Sequence, residues 1–174
     1  MKRTILIPAV TALGAAAVAV GSGATFTSTT GNTISAVTAG TLTQTNTKDG
    51  QAIFSLTNVK PGDVLNGTLT LTNTGSLPAT FSLTEAASTN AFAGSNLTLD
   101  IVDTTANKTV YTGTFGGLTD GVKNDLGAWP AGAAHTFKFT VKLAAATPNS
   151  DQGKTASATY TWDAIQADAT TTEQ

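Results

Sequence analysis

Few side chains in this sequence could perform acid–base, nucleophilic or metal chemistry. The 174 residues include one histidine, His135, no cysteine and eleven acidic residues. A zinc peptidase helix of the His-Glu-x-x-His type needs two histidines four residues apart, and a serine hydrolase needs a histidine beside a nucleophile, often on a Gly-x-Ser-x-Gly turn. Neither motif occurs. Because His135 alternates with Phe137 and Phe139, we predict that it lies at the rim of a core, and we predict no catalytic, cofactor-binding or metal-binding residues.

The acidic residues do not change that expectation. Asp100 and Asp103 are an odd number of positions apart on a predicted strand, so their side chains face opposite ways and cannot act as a catalytic pair. Asp120 and Asp125 fall in a predicted loop and could bind calcium, which takes several oxygen ligands. Solvated loop charges are the simpler interpretation. The sequence therefore predicts a protein that is not an enzyme.

Composition favours a single folded domain made of strands. The formal net charge is −2 and the pI about 5.1, which excludes the clustered basic surface that binds nucleic acid. With 40% apolar residues and a mean hydropathy of +0.07, the chain can bury a core. Threonine occurs 36 times, and β-branched residues pack better on a pleated sheet than in a helix.

The N-terminal segment predicts export. Lys2 and Arg3 precede an apolar run at 5–20, and the small residues of GSGA at 21–24 suit cleavage after Ala24. We therefore predict a signal peptide at 1–24. A retained membrane anchor is the alternative, but this run is shorter and less apolar than the roughly 20 residues that a span requires. Removing the segment leaves 7 basic and 11 acidic side chains, a charge of about −4.

Alternation of apolar and polar residues predicts strands beyond the signal. In 64–73, Leu65, Leu69 and Leu71 share one face and threonines the other, as in a half-buried strand. Similar alternation predicts further strands at 135–143, 156–164 and 97–101, with weaker ones at 40–45, 51–57, 79–84 and 109–115.

The segments between these strands contain turn residues. The sequence KPGD at 60–63 suits a type II turn, and NTGS at 73–76 can supply positive φ values. No window shows the apolar stripe of an amphipathic helix. About eight strands predict an all-β, antiparallel two-sheet jelly-roll sandwich at 37–165. We expect loops at 85–96 and 116–133 and a polar tail at 166–174.

Three ordered motifs resemble a known family. The segments AGTL (39–42), SLTNVKPGD (55–63) and LTNTGSL (71–77), following a secretory segment, are similar in order and spacing to the TasA/camelysin family of exported bacterial matrix proteins. The resemblance covers roughly residues 20–84. A later WPAG turn at 129–132, leading into a Phe-x-Phe-x-Val strand, is compatible but generic.

The resemblance implies a jelly-roll subunit that a dedicated signal peptidase processes and that polymerises into extracellular biofilm fibres. Members donate the freed N-terminal segment to a neighbouring subunit as an extra strand. Carried onto this sequence, the donor is the segment 25–36, with its assembly residues at Thr25, Phe26, Ile34 and Ala36. Many members begin the mature chain with an aromatic residue followed shortly by Asp, whereas this chain has TFTSTT at 25–30.

Other functions stay open at this stage. Tyr160 and Trp162 could form the sugar-binding face of a monomeric adhesion or carbohydrate-binding module, although their register with alanines favours core packing. A metallopeptidase of camelysin type is a third possibility. Asn66, Asn96 and Asn107 each begin an Asn-x-Thr glycosylation triplet, which chance readily produces in a chain so rich in Thr and Asn. The expected partners are other copies of the protein and the signal peptidase.

Overall fold

The computed structural model describes residues 17–18, 25–26, 40–53 and 59–166. The chain divides into two compact units, residues 1–38 and 39–174. In the first unit, β1 (Ala17–Val18) pairs antiparallel with β2 (Thr25–Phe26). None of the described residues forms a helix long and apolar enough to cross a membrane.

The described part of the second unit contains eight strands, all paired antiparallel. A five-stranded sheet has the order β3-β4-β9-β6-β7, and a three-stranded sheet has the order β10-β5-β8. The strands are β3 (Gln44–Asn46), β4 (Val64–Asn73), β5 (Ala79–Asn90), β6 (Leu97–Asp103), β7 (Lys108–Thr114), β8 (Lys123–Trp129), β9 (Ala134–Leu143) and β10 (Ala156–Gln166). A short 3₁₀ turn, Asn149–Asp151, precedes β10.

The pairing of these strands is nested. Strand β4 pairs with β9 in one sheet, β5 with β8 in the other, and β6 with β7 back in the first. This is the order of a long hairpin rolled over itself, which is how a jelly roll is built. The predicted all-β, two-sheet sandwich is confirmed.

The core lies between the two sheets and consists of residues that alternate along the strands. Phe137 of β9 packs against Trp162 of β10 with ring centroids 5.0 Å apart, which joins the sheets. The fully covered side chains from four strands are Leu71, Phe81, Leu83, Leu99, Ile101, Phe137, Phe139 and Val141. Period-two alternation predicted the buried positions of Leu71, Phe137 and Phe139, because a sheet with one buried face hides every second side chain.

The KPGD turn behaves as its residues predict, whereas the NTGS turn does not. In the KPGD turn, the amide of Asp63 donates to the carbonyl of Lys60, and Gly62 has a φ of 93°, a conformation that favours glycine. The positive φ values predicted for NTGS at 73–76 were wrong, because none of these residues adopts one. Glycine is required at Gly75 for a steric reason instead, since a Cβ there would collide with the carbonyl oxygen of Thr41.

Several predicted boundaries were wrong. The expected loop at 116–133 contains β8, and the expected loop at 85–96 begins with six residues of β5. In β8, a bulge opposite Phe81 inserts an extra residue, so the buried side chains Leu126 and Trp129 are three positions apart and the period of two is lost.

The weakly predicted strands also changed. Strand β3 has only three residues, and 51–53 form no strand; 54–58 lie outside the described residues. Gln166, expected in a tail, is the last residue of β10, while 167–174 also lie outside the described residues.

Candidate functional site

An open groove lies between two edge strands of the sandwich. One wall is β3 with the residues that follow it, 44–53, and the other is the segment 156–162 of β10. The buried side chains of Leu69 and Phe115 also line it, and its volume is about 980 Å³. Because β3 ends the five-stranded sheet and β10 ends the three-stranded sheet, the groove marks a side where the two sheets do not close on each other.

The inner face of β10 is incompletely covered. Its inward side chains are only partly buried, whereas Phe81 and Leu83 on the adjacent β5 are fully buried. The inward residues of β10 are Ala156, Ala158, Tyr160, Trp162 and Ala164. Tyr160 and Trp162 therefore pack against the core on one side and line the groove on the other. The prediction that Tyr160 and Trp162 pack against the core is therefore confirmed for one side of each ring, while the other side faces the groove.

The outer edge of β10 carries unpaired backbone groups. Among residues 40–53 and 59–166, no strand pairs with that edge, which is eleven residues long. A single side-chain bond crosses it, from Nε2 of Gln44 to the carbonyl oxygen of Trp162 at 2.8 Å. Such an edge can accept another strand.

A buried acid lies behind the groove wall. Glu85 of β5 is 0% exposed and is the cross-strand partner of Tyr160. Neither oxygen of Glu85 makes a hydrogen bond with any described residue, and the Tyr160 hydroxyl is likewise buried without a partner. Burial raises the pKa of Tyr160, and the nearby Glu85 carboxylate raises it further. The two groups are close enough to interact, although no contact between them meets the distance and angle of a hydrogen bond.

Asn73 is a polar hub at one end of the sandwich. It is 0% exposed, and its Nδ2 lies 2.9–3.2 Å from the carbonyl oxygens of Leu77, Trp129 and Pro130. Its Oδ1 accepts the amide of Gly75 at 3.1 Å. One side chain therefore ties the turn after β4 to the WPAG turn after β8.

The first and third motifs of the resemblance contact each other. The amides of Gly75 and Ser76 donate to the carbonyls of Thr43 and Thr41, each at 3.0 Å. The Ser76 hydroxyl accepts the amide of Thr41 at 2.9 Å. The described part of AGTL, residues 40–42, is therefore held by backbone bonds to the turn, although the strand itself begins at Gln44.

His135 is held by an acid and an aromatic ring. Its Nδ1 lies 2.6 Å from Oδ2 of Asp103, and its ring stacks on Trp129 with centroids 4.0 Å apart. The side chain of His135 is 17% exposed and that of Asp103 is 2% exposed. The other Asp103 oxygen accepts the amides of Thr105 and Ala106.

Comparison with known families agrees with the motifs. The profile of the family described as camelysin metallo-endopeptidase matches residues 1–96, more than half of the chain. The chain belongs to the camelysin family. The matched part of this camelysin-family chain includes the motif contacts above and the strands β1 to β5. No curated protein matches the chain.

The camelysin description implies a metal ion, but the donor groups of this chain do not fit a catalytic zinc. Such a site takes three protein ligands, usually including two or three imidazoles. His135 is the single histidine, and Asp103 already engages its Nδ1. Within the described residues, no three His, Cys, Asp or Glu side chains cluster closely enough to share an ion.

The other predicted acids are dispersed. Asp100 faces outward and binds Lys142 at 2.8 Å, while Asp103 is buried, so the two point to opposite faces as expected. Asp125 lies in β8 and not in a loop, and its carboxylate accepts the amide of Gly127. Asp120 is an exposed residue of the turn before β8.

The glycosylation triplets differ in their environments. The Asn96 amide nitrogen, to which a glycan would attach, donates to the buried Asp151 at 2.8 Å. Asn66 is exposed, and its carbonyl oxygen accepts the hydroxyl of Thr140. Asn107 is exposed in a turn with a positive φ of 51°.

The predicted assembly residues are only partly described. Thr25 and Phe26 form β2, whose backbone pairs with β1. Ala24, Ile34 and Ala36 lie outside the described residues.

Sequence reasoning missed Asn73 and Glu85. Asn73 follows Leu71 by two positions on β4, in register with the buried leucines. Glu85 follows Leu83 by two positions on β5 in the same way. A polar residue in register with a buried face was the signal that could have identified both.

Proposed function

We propose that the mature protein is an exported structural subunit that polymerises into extracellular fibres by donor-strand exchange. The segment 25–36 of one copy enters the groove between β3 and β10 of the next and pairs with the outer edge of β10. The observation that carries this proposal is the half-covered inner face of β10, together with an outer edge that no strand of 40–53 or 59–166 pairs with. Membership of a family that is extracellular or associated with the cell surface supports export.

The dimensions of donor and acceptor agree. The donor segment has twelve residues, and β10, whose outer edge is unpaired within the described part of the chain, has eleven. Each added backbone hydrogen bond contributes about 0.5–1.5 kcal/mol. Burial of Phe26 and Ile34, which lie on one face of a regular strand, contributes about 1.5–3 kcal/mol each. These gains offset the entropy lost when a polar tail becomes ordered.

Processing would control assembly. Strand β2 contains the first two residues of the donor, and its partner β1 lies within the predicted signal peptide. Cleavage after Ala24 separates the two covalently and leaves Thr25 as the new N-terminus. Each copy donates its N-terminal segment and accepts the segment of another copy in its own groove. Because these are two different surfaces, the contact is head-to-tail and produces open filaments.

Deletion of the donor segment tests this function. We expect processed protein lacking 25–36 to fold and to stay monomeric by size exclusion and negative-stain microscopy, and a synthetic 25–36 peptide to bind it. Deletion of the tail 167–174 is the control and should leave fibres intact. A folded protein without 25–36 that still forms normal fibres would disprove donor-strand exchange.

A monomeric carbohydrate-binding module is the second candidate. The position of Tyr160 and Trp162 along an open groove favours it, because sugars stack on aromatic rings. Such a module would remain monomeric after cleavage at every concentration, and soluble glycans would protect the Trp162 fluorescence from quenching. A peptidase is disfavoured because the donor groups do not fit a catalytic zinc.

A further inference from the structure

Glu85 and Tyr160 are neighbouring buried residues whose polar atoms lack hydrogen bonds among the described residues. Pairing of a donor strand with the backbone of β10 would not by itself satisfy these atoms. Burying a carboxylate without a hydrogen bond costs several kcal/mol, yet Glu85 is fully buried and both its oxygens are unsatisfied among the described residues. The Tyr160 hydroxyl beside it is also unsatisfied, while the ring of Tyr160 lines the groove. Within the described part of the chain, Tyr160 is the residue of β10 that has a buried polar side-chain atom without a hydrogen-bond partner.

The inward face of the donor segment has a matching polar centre. In a regular strand, residues of even number between 26 and 36 share one face. Phe26 and Ile34 lie near the ends of that face, with Ser28, Thr30 and Asn32 between them. Thr30 is midway between the two apolar anchors.

The inward face of β10 has the complementary pattern. Tyr160 is the central one of five inward residues, and the outermost two are Ala156 and Ala164. Placing Thr30 beside Tyr160 puts Phe26 and Ile34 beside these two alanines, four residues away in either direction. Large side chains then lie next to small ones whether the strands run parallel or antiparallel.

We propose that Glu85 and Tyr160 form the polar specificity element of the acceptor groove and take a hydrogen bond from the Thr30 hydroxyl of the incoming copy. This inference rests on the proposed donor-strand exchange and fixes its register. Because β10 separates the incoming strand from β5, the Thr30 hydroxyl donates to the Tyr160 hydroxyl, whose own proton then aligns with Glu85. The relay satisfies an acid that no described residue of the isolated subunit hydrogen-bonds. A strand that offers an apolar side chain at this position would leave the carboxylate buried and unpaired.

A double-mutant cycle on the full processed protein tests this register. We expect Thr30→Val, which removes the hydroxyl and keeps the shape, to raise the critical concentration for fibre assembly about tenfold. Thr29→Val is the matched control, because Thr29 faces outward on the same strand, and it should change the critical concentration little. In a Tyr160→Phe background, which removes the acceptor hydroxyl and keeps the ring, the effect of Thr30→Val should disappear.

The stability of the subunit provides a second readout. Replacing an unpaired buried carboxylate by an apolar residue of similar size often stabilises a fold. Glu85→Met should therefore keep or raise the melting temperature below the critical concentration while it weakens assembly. If Glu85 had only a structural role, Glu85→Met would weaken assembly and lower the melting temperature together.

The possible failures are distinguishable. If the wild-type protein forms fibres but Thr29→Val and Thr30→Val act equally, or if Thr30→Val keeps its full effect in Tyr160→Phe, the register is wrong while donor-strand exchange stands. If wild-type protein forms no fibres, or forms them without 25–36, the proposed function fails and this inference fails with it.

Discussion

The imidazole of His135 donates a hydrogen bond from Nδ1 to Oδ2 of Asp103 across 2.6 Å, which links the start of β9 to the end of β6. In enzymes, a histidine that a carboxylate orients often acts as a base or a metal ligand. In this protein the imidazole ring stacks on Trp129, and Trp129 in turn stacks on Phe81 with centroids 4.0 Å apart. The pair therefore belongs to an aromatic stack at the end of the core.

The role of His135 predicts the result of metal removal. Purified protein should show no proteolysis that a chelator abolishes, and His135→Ala should still form fibres. His135→Ala should lower the free energy of unfolding by about 1–3 kcal/mol, because the buried Asp103 loses a partner. His135→Asn, which keeps a donor, should recover part of this loss. Chelator-sensitive proteolysis that disappears in His135→Ala would contradict the structural role.

The register of β9 predicts unequal effects of neighbouring substitutions. Phe139 is 0% exposed and contacts the rings of Tyr160 and Trp162, so Phe139→Ala should cost about 3–5 kcal/mol by leaving a cavity. Thr140 faces outward and binds Asn66, so Thr140→Ala should cost less than about 1 kcal/mol. Urea denaturation measures both. Equal costs would show that the register is wrong.

The hub at Asn73 predicts a large effect from one amide. Asn73→Ala leaves three carbonyl oxygens and the amide of Gly75 without their side-chain partner, and we expect a loss of about 2–4 kcal/mol. Asn66→Ala is the control, because Asn66 is exposed and has one side-chain bond. Comparable losses in the two variants would contradict the hub.

The environment of Asp151 predicts a pH dependence of stability. Hydrogen bonds from Lys154 and Asn96 lower the pKa of Asp151 below its ordinary value. The folded state therefore binds this proton less readily than the unfolded state does, so the stabilisation is complete above the ordinary aspartate pKa of about 3.9 and is lost as the pH falls through the folded value. Asp151→Asn should be less stable than wild type at pH 7.

The measurement for Asp151 is chemical denaturation across the acid range. The difference between wild type and Asp151→Asn should shrink steadily below about pH 4, because wild type loses the charged interaction there. Asp120→Asn is a surface control, since Asp120 is exposed in the turn before β8 and should contribute little to stability. A difference that stays constant down to pH 2 would contradict the assignment to Asp151.

The sequence by itself determined the elements whose signal is local. Alternation located β4, β6, β9 and β10 and the core residues Phe137 and Phe139, because a half-buried strand hides every second side chain whatever its partner is. Glycine and proline located the KPGD turn for an equally local reason, since it depends on the φ values that these residues allow. The ordered motifs were sufficient to indicate the family.

The tertiary structure decided what depends on partners distant in the chain. Strand β8 was missed because a bulge breaks its period, and a bulge is defined only by the opposing strand. Alternation marks the face of the sheet on which Asn73 and Glu85 lie. Only the packed sheets decide that Asn73 has four hydrogen-bond partners and that Glu85 has none among the described residues. The groove also forms only in the folded protein, because β3 and β10 are more than a hundred residues apart in the chain. A local sequence pattern does not indicate which strands will lie at the edges of the sheets.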